Sequence, residues 1–116
     1  MINKIKSVDS AVSLFEEYVI SRAEALEKGD VKSANRNFDK MVKVVAYLKN
    51  EKELEKLSPL LTHSNEDVRL EAACYLLPVN EQRSINVLNK IAKTTGINSL
   101  TAETTLSEWQ NGNLKP

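Results

Sequence analysis

Cys74 and His63 are the side chains of this sequence best suited to nucleophilic or metal chemistry. A histidine activates a thiol only within hydrogen-bond distance. His63 lies in a polar turn, whereas Cys74 lies about 14 Å along the axis of the helix that follows. The sequence contains one cysteine and one histidine, so neither has a second ligand at metal-binding spacing. We therefore expect no catalytic residue, no metal site and no cofactor.

Other catalytic patterns are also missing from the sequence. The acidic residues are spread along helical faces, and the three glycines are predicted at helix ends, where they form no phosphate-binding loop. We expect that the protein is not an enzyme.

Arg69, Glu71 and Tyr75 are the strongest candidates for contact with a partner. Tyrosine and arginine are the side chains that most often anchor interfaces, and Glu71 and Tyr75 are four residues apart on a predicted helix, off its apolar stripe. The alternative is structural: Arg69 pairs with an acidic group such as Asp67, and Tyr75 packs on the second helix. Both interpretations stay open.

A second polar cluster contains Asn35, Arg36 and Asp39. On a helix, Asn35 and Asp39 share a face and Arg36 lies three residues from Asp39. The cluster is either a binding site near the end of a helical hairpin or a network that ties the hairpin to the rest of the chain. Trp109 is likewise either a partner anchor or a cap on a small core.

The positions of these residues depend on a predicted hairpin of two long helices. The first helix starts near Ser7 or Asp9 and runs to position 28, and the second covers about 31–49. Gly29 supplies a left-handed stop between them and Asp30 caps the second helix. The side chains predicted to face inward are Val8, Val12, Phe15, Val19, Arg22 and Leu26 on the first helix, and Ala34, Phe38, Met41, Val42, Val45 and Leu48 on the second.

Four shorter helices are predicted to follow. One covers about 51–61, with a kink at Pro59 and an apolar side made of Leu54, Leu57, Leu60 and Leu61. The next begins at about position 67 after a cap at Ser64 or Asn65, and it buries Val68, Ala72, Ala73, Leu76 and Leu77. A helix over about 81–94 is capped by Asn80, and the last helix restarts at Ser99 or Thr101.

These elements predict an all-α fold in which the hairpin precedes two helix pairs. The repeat period of about 35 residues suits a short α-solenoid of about six helices. A chain of 116 residues is the size of one domain, over 1–116.

Composition narrows the class of partner. Sixteen basic and sixteen acidic residues balance, which makes a nucleic-acid partner unlikely. No run of about 20 apolar residues exists to cross a membrane. Residues 1–7 contain no signal-peptide core. A cytoplasmic protein without membrane contact is expected.

Short runs of residues along nearly the full length carry a resemblance to a known family. They are Gly29-Asp30, Ala34-Asn35-Arg36, Phe38-Asp39-Lys40, Leu60-Leu61, Val68-Arg69-Leu70, Ala72-Ala73, Ala102-Glu103, Thr105-Leu106, Glu108-Trp109 and Gly112. In these residues the chain resembles a bacterial HEAT-like helical family known only as a domain of unknown function. The resemblance implies that the two helix pairs are HEAT-like, and it implies little chemistry. Related small helical proteins occur as immunity partners of secreted bacterial toxins.

The resemblance also implies where the candidate partner residues lie. In a HEAT array the second helix of each pair lines the concave side, so Glu71 and Tyr75 are expected there.

Three functions remain in competition. The leading hypothesis is a protein-binding module, most concretely an immunity protein that covers the active site of a cognate toxin. The alternatives are a nucleic-acid-binding HEAT-like protein, which would need clustered Lys and Arg residues, and a small assembly or scaffold protein. The mixed charges of residues 40–56 are typical of a solvated surface.

Overall fold

The computed structural model describes residues 5–116, and all regular secondary structure in that range is helical. The elements in chain order are α1 (Val8–Glu27), α2 (Val31–Asn50), a 3-10 helix (Leu54–Thr62), α3 (Glu66–Leu76), α4 (Glu81–Ala92) and α5 (Ile97–Gln110). The predicted all-α fold of about six helices is confirmed. The prediction that residues 1–7 contain no signal-peptide core concerns in part residues 1–4, which lie outside the described range.

The chain forms two compact units, residues 1–56 and 57–116. The first unit holds α1 and α2, and the second holds α3, α4 and α5. The 3-10 helix begins in the first unit and ends in the second. That the whole chain is one domain stays a prediction.

The first unit is an antiparallel helical hairpin. Arg22 lies 5.2 Å from the ring centre of Phe38, and Lys40 lies 5.7 Å from that of Tyr18. The earlier residue on α1 therefore meets the later residue on α2, which is the order of an antiparallel pair. The helices are joined by residues 28–30, where Gly29 has a φ of +73°. The predicted hairpin and its left-handed glycine are confirmed.

Three residues predicted to face inward in this hairpin are exposed. Leu26, Phe38 and Val42 are 52%, 40% and 41% accessible. Phe38 stacks under the guanidinium of Arg22, a cation–π contact that lets an aromatic ring stay partly in water. Six of the residues predicted to face inward are buried, namely Phe15, Val19, Ala34, Met41, Val45 and Leu48. Ala11, Leu14, Ala25 and Val44 are buried with them.

The helix predicted over 51–61 is a 3-10 helix over Leu54–Thr62. Lys52 has a φ of 58°, a left-handed conformation that separates this segment from α2. The leucines at 54, 57 and 60 recur every third residue, which is the period of a 3-10 helix, and all three are buried together with Leu61. Pro59 lies inside the segment and lacks the N–H of a regular α-helix.

The second unit is built from three consecutive helices. α4 packs against both α3 and α5, and α3 also contacts α5. The apolar stripe predicted for α3 is confirmed, since Val68, Ala72, Ala73, Leu76 and Leu77 are all buried, and Leu70 is buried as well.

Of two predicted helix starts in the second unit, one is right and one is wrong. α4 begins at Glu81 with Asn80 at its N-cap position, as predicted, but the Asn80 side chain makes no capping bond. Its amide donates to the Ser58 hydroxyl at 3.2 Å. α5 begins at Ile97, before Ser99 and Thr101, because Gly96 takes the N-cap position with a φ of +106°. The Ser99 hydroxyl instead donates to the Gly96 carbonyl at 2.8 Å, inside the first turn.

None of the helices within residues 5–116 combines the length and apolar character that crossing a membrane requires.

Candidate functional site

Arg69 fixes the turn that leads into α3. Its guanidinium donates to the carbonyls of His63 and Ser64 at 2.7 and 3.1 Å. The Asn65 N–H donates to Nδ1 of His63 at 3.0 Å, and the Asn65 side chain accepts from the N–H groups of Asp67 and Val68. His63 therefore works as a hydrogen-bond acceptor within the turn. Of the two predicted caps, Ser64 or Asn65, Asn65 is the one that caps α3.

The acidic residues at the start of α3 are also engaged. The Asn98 amide, in the first turn of α5, donates to the carboxylates of Glu66 and Asp67, at 3.0 Å in each case. The structural interpretation of Arg69 expected it to pair with an acidic group such as Asp67. In the structure Arg69 instead donates to backbone carbonyls, and Asp67 accepts from the Asn98 amide. One neutral donor thus joins the beginnings of two helices.

A groove of about 520 Å³ lies between the end of the 3-10 helix, the first half of α3 and the length of α4. We call it the α3–α4 groove. All of its lining residues belong to the second unit. They are Leu61, Thr62, Glu66, Arg69, Arg83, Asn86, Val87, Lys90, Ile91 and Thr94.

The charges of the α3–α4 groove are mostly positive. Arg69, Arg83 and Lys90 line it, against the single carboxylate of Glu66. The side chains of Arg83 and Lys90 are exposed, and among residues 5–116 neither has a hydrogen bond or an ion pair. Glu66 already accepts from Asn98. Two cations are therefore left available for an external anion.

The floor of the same groove is apolar. Leu61 and Ile91 are buried and Val87 is half-buried. The hydroxyl of Thr94, two residues beyond the end of α4, donates to the Ile91 carbonyl at 2.6 Å. Apolar surface between exposed cations is suited to a ligand that carries both carboxylates and an apolar group.

The predicted partner residues of α3 do not form one surface. Residues two apart on an α-helix point about 160° away from each other, so Arg69 and Glu71 lie on opposite sides of α3. Arg69 lines the α3–α4 groove. Glu71 and Tyr75 are half-buried on the other side, where both make further contacts within the chain.

The second predicted cluster lies on the hairpin. Asn35, Arg36 and Asp39 are all exposed on α2, in the first unit. They keep the shared helical face that their spacing predicts, but they belong to a different unit from Arg69, Glu71 and Tyr75. Their role in binding stays a prediction.

Sequence reasoning missed Arg83, Asn86 and Lys90. A signal was present, because positions 83, 86, 87 and 90 have the i, i+3, i+4, i+7 spacing of one helical face. Its polar residues Arg83, Asn86 and Lys90 are typical of a solvated face. Only the position of α3 beside it turns the solvated face into one wall of a groove.

Cys74 is half-buried, and its Sγ lies 3.7 Å from the Thr105 hydroxyl of α5. Burial raises the pKa of the thiol to about 12; the Glu71 carboxylate adds to the rise, and the hydrogen bond to Thr105 opposes it. At neutral pH the thiol is therefore protonated and a poor nucleophile. Residues 5–116 contain no group of three or more His, Cys, Asp or Glu side chains placed to hold a metal ion.

These features define an all-α protein with a cationic, apolar-floored groove. The chain belongs to the family described as Domain of unknown function (DUF2019), whose match covers residues 9–107. This confirms the predicted membership of a family without an assigned activity. HEAT-like kinship and a relation to immunity proteins stay predictions.

A solved structure supports the fold. The crystal structure of the protein RPA1889 from Rhodopseudomonas palustris CGA009 is similar over 100% of this chain and 99% of its own, with a TM-score of 0.91 and 23% sequence identity. At that identity the likeness concerns the fold alone. No curated protein sequence matches the chain.

Proposed function

We propose that this protein is a binding module for another protein. The observation that carries the proposal is the α3–α4 groove, where Arg83 and Lys90 flank an apolar floor. Binding sites in proteins typically combine buried apolar surface with a few convergent polar groups. The turn held by Arg69 and the contact of Asn98 with α3 stabilise one wall of the groove, so little ordering would be needed on binding.

The most concrete form of this function is an immunity protein that neutralises a cognate bacterial toxin in the cytoplasm. Such a protein needs no chemistry of its own. A rigid helical surface that covers the active site of the toxin is sufficient. The protonated thiol of Cys74 fits a protein that acts by binding alone.

Expression of the polypeptide encoded by the neighbouring gene tests the proposal. The expected result is that this polypeptide stops bacterial growth alone and that co-expression of the present protein restores it, with co-purification of the two chains. Growth arrest without rescue, or a harmless neighbour that does not co-purify, contradicts the immunity function.

Two parallel measurements test the two alternative functions. If the protein binds a short oligonucleotide more tightly than it binds the neighbouring protein, and salt weakens that binding, a nucleic-acid-binding function is favoured. Stable self-association of the purified chain in sedimentation, without binding to the neighbouring protein, would favour an assembly role.

A further inference from the structure

We infer that the α3–α4 groove takes an acidic amphipathic helix of the protein partner. This inference rests on the proposed function, and it names the segment of the partner that the groove recognises. The complementary segment carries two carboxylates on one face with an apolar side chain between them.

The spacing of the cations sets the spacing of the carboxylates. Arg83 and Lys90 are seven residues apart on one face of α4 and both line the groove, so they lie about 10 Å apart along the helix axis. A second helix laid along α4 presents residues i and i+7 at the same separation. An Asp or Glu at each of these positions would meet one cation.

The floor sets what lies between the carboxylates. Val87 lies between Arg83 and Lys90 in the sequence, and Leu61 and Ile91 extend the apolar surface of the groove. An apolar side chain at position i+3 or i+4 of the bound helix falls between its two carboxylates and covers this surface. Amphipathic helices bind to grooves through such anchors at helical spacing.

The negative charge in the groove sets where the carboxylates lie. Glu66 lines the α3 side, and its carboxylate accepts from Asn98. A partner carboxylate is repelled from that side and attracted to the α4 side. A nucleic-acid strand matches the groove less well, because phosphates and sugars gain little from a floor of Leu61, Val87 and Ile91.

The test is a selection of helical peptides from a random display library on the full-length protein. The expected winners carry Asp or Glu seven residues apart with an apolar residue between them. Their affinity should fall about tenfold or more in the double variant Arg83→Gln with Lys90→Gln. Val87→Asn should weaken binding about fivefold through the floor alone.

Lys93→Gln is the matched control, because Lys93 is an exposed cation at the end of α4 and does not line the groove. Its affinity for the selected peptides should equal that of the unsubstituted protein. Arg83 and Lys90 are exposed, so their substitution should not disturb the fold. A thermal melt of the double variant verifies this.

The inference is overturned if the selection yields no binder, if the selected peptides are neutral or basic, or if their affinity is unchanged in the double variant. It is also overturned if a short single-stranded oligonucleotide displaces the peptides from the groove. The proposed function can hold even if this inference about the groove fails. If the neighbouring protein binds the double variant and the unsubstituted protein equally, only the inference fails.

Discussion

The indole N–H of Trp109 donates to the Glu81 carboxylate at 2.7 Å. Trp109 lies in the last turn of α5 and Glu81 in the first turn of α4, so this bond fixes the antiparallel order of the two helices. The half-buried ring thus has a structural partner, as the interpretation of Trp109 as a cap on the core expects. A role as a partner anchor stays untested.

Trp109→Phe should lower the free energy of unfolding by about 0.5–1.5 kcal/mol beyond the effect of the smaller ring, because the donor to Glu81 is lost. Urea denaturation measures the change. Glu81→Gln is the control, since its amide oxygen still accepts the indole N–H. Equal stability of Trp109→Phe and the unsubstituted protein would mean that the bond contributes nothing in solution.

Ser84→Ala should stabilise the second unit. The Ser84 hydroxyl is fully buried, and among residues 5–116 it has no hydrogen-bond partner. A buried unpaired hydroxyl costs about 1–3 kcal/mol, so its removal should raise the free energy of unfolding by about 1 kcal/mol. The exposed Ser107→Ala reports the gain from helix propensity alone. A Ser84→Ala effect no larger than that control would contradict the assignment.

Ala73→Leu should destabilise the protein by about 1–3 kcal/mol, because it forces extra methylenes into a filled core. Ala73 is fully buried on α3. Ala46→Leu makes the same change at an exposed position of α2 and should leave the melting temperature nearly unchanged. If the two variants melt together, Ala73 does not lie in a packed core.

Cys74 should make the protein lose stability at alkaline pH. The folded-state pKa of its thiol is raised to about 12 from an ordinary value of 9.0. The unfolded chain therefore releases this proton first as the pH rises. The contribution of the protonated thiol is complete below pH 9.0 and is lost progressively toward pH 12.

Unfolding of the unsubstituted protein and of Cys74→Ala, followed from neutral pH to about pH 11, checks this prediction. The stability difference between the two should shift in favour of Cys74→Ala above pH 9. Thiol labelling at neutral pH should also be about tenfold slower in the folded protein than in urea. Parallel stability curves and fast labelling would show an accessible, ordinary thiol.

The sequence predicted a feature correctly where the interaction that controls it lies within a few residues. It predicted less well where that interaction joins residues distant in sequence. The cap of α3 was predicted as Ser64 or Asn65 because a capping side chain bonds only the next three residues, and Asn65 is the one that caps. Asn80 holds the predicted N-cap position of α4, but its side chain bonds Ser58, distant in sequence, and makes no cap. A local pattern does not reveal a partner that only folding brings close.

The 3-10 helix and the α3–α4 groove show the same difference between predicted and unpredicted features. The buried leucines 54, 57 and 60 were identified correctly, but a period of three and Pro59 favoured the 3-10 form over the predicted α-helix. Arg83 and Lys90 look like ordinary solvated cations in the sequence. Their role in the groove depends on the placement of α3 beside α4, which no pattern within α4 reveals.

Glu71 and Tyr75, which were predicted to contact a partner, lie on the side of α3 away from the α3–α4 groove. The double substitution Glu71→Ala with Tyr75→Ala should weaken binding of the partner by about 2 kcal/mol or more if these residues anchor the interface. Both residues are half-buried, so a thermal melt must verify the fold of the variant. Unchanged affinity in a folded variant would remove this surface from the interface.

Calorimetric titration of the protein with the product of the neighbouring gene is the most direct test of a protein-binding function. The expected result is saturable one-to-one binding that is weakened in the double variant Arg83→Gln with Lys90→Gln. The double variant Glu71→Ala with Tyr75→Ala weakens it as well only if the other side of α3 also belongs to the interface. Lys93→Gln should bind like the unsubstituted protein. The absence of any saturable heat with the unsubstituted protein, at concentrations where both chains remain folded, would contradict the protein-binding function.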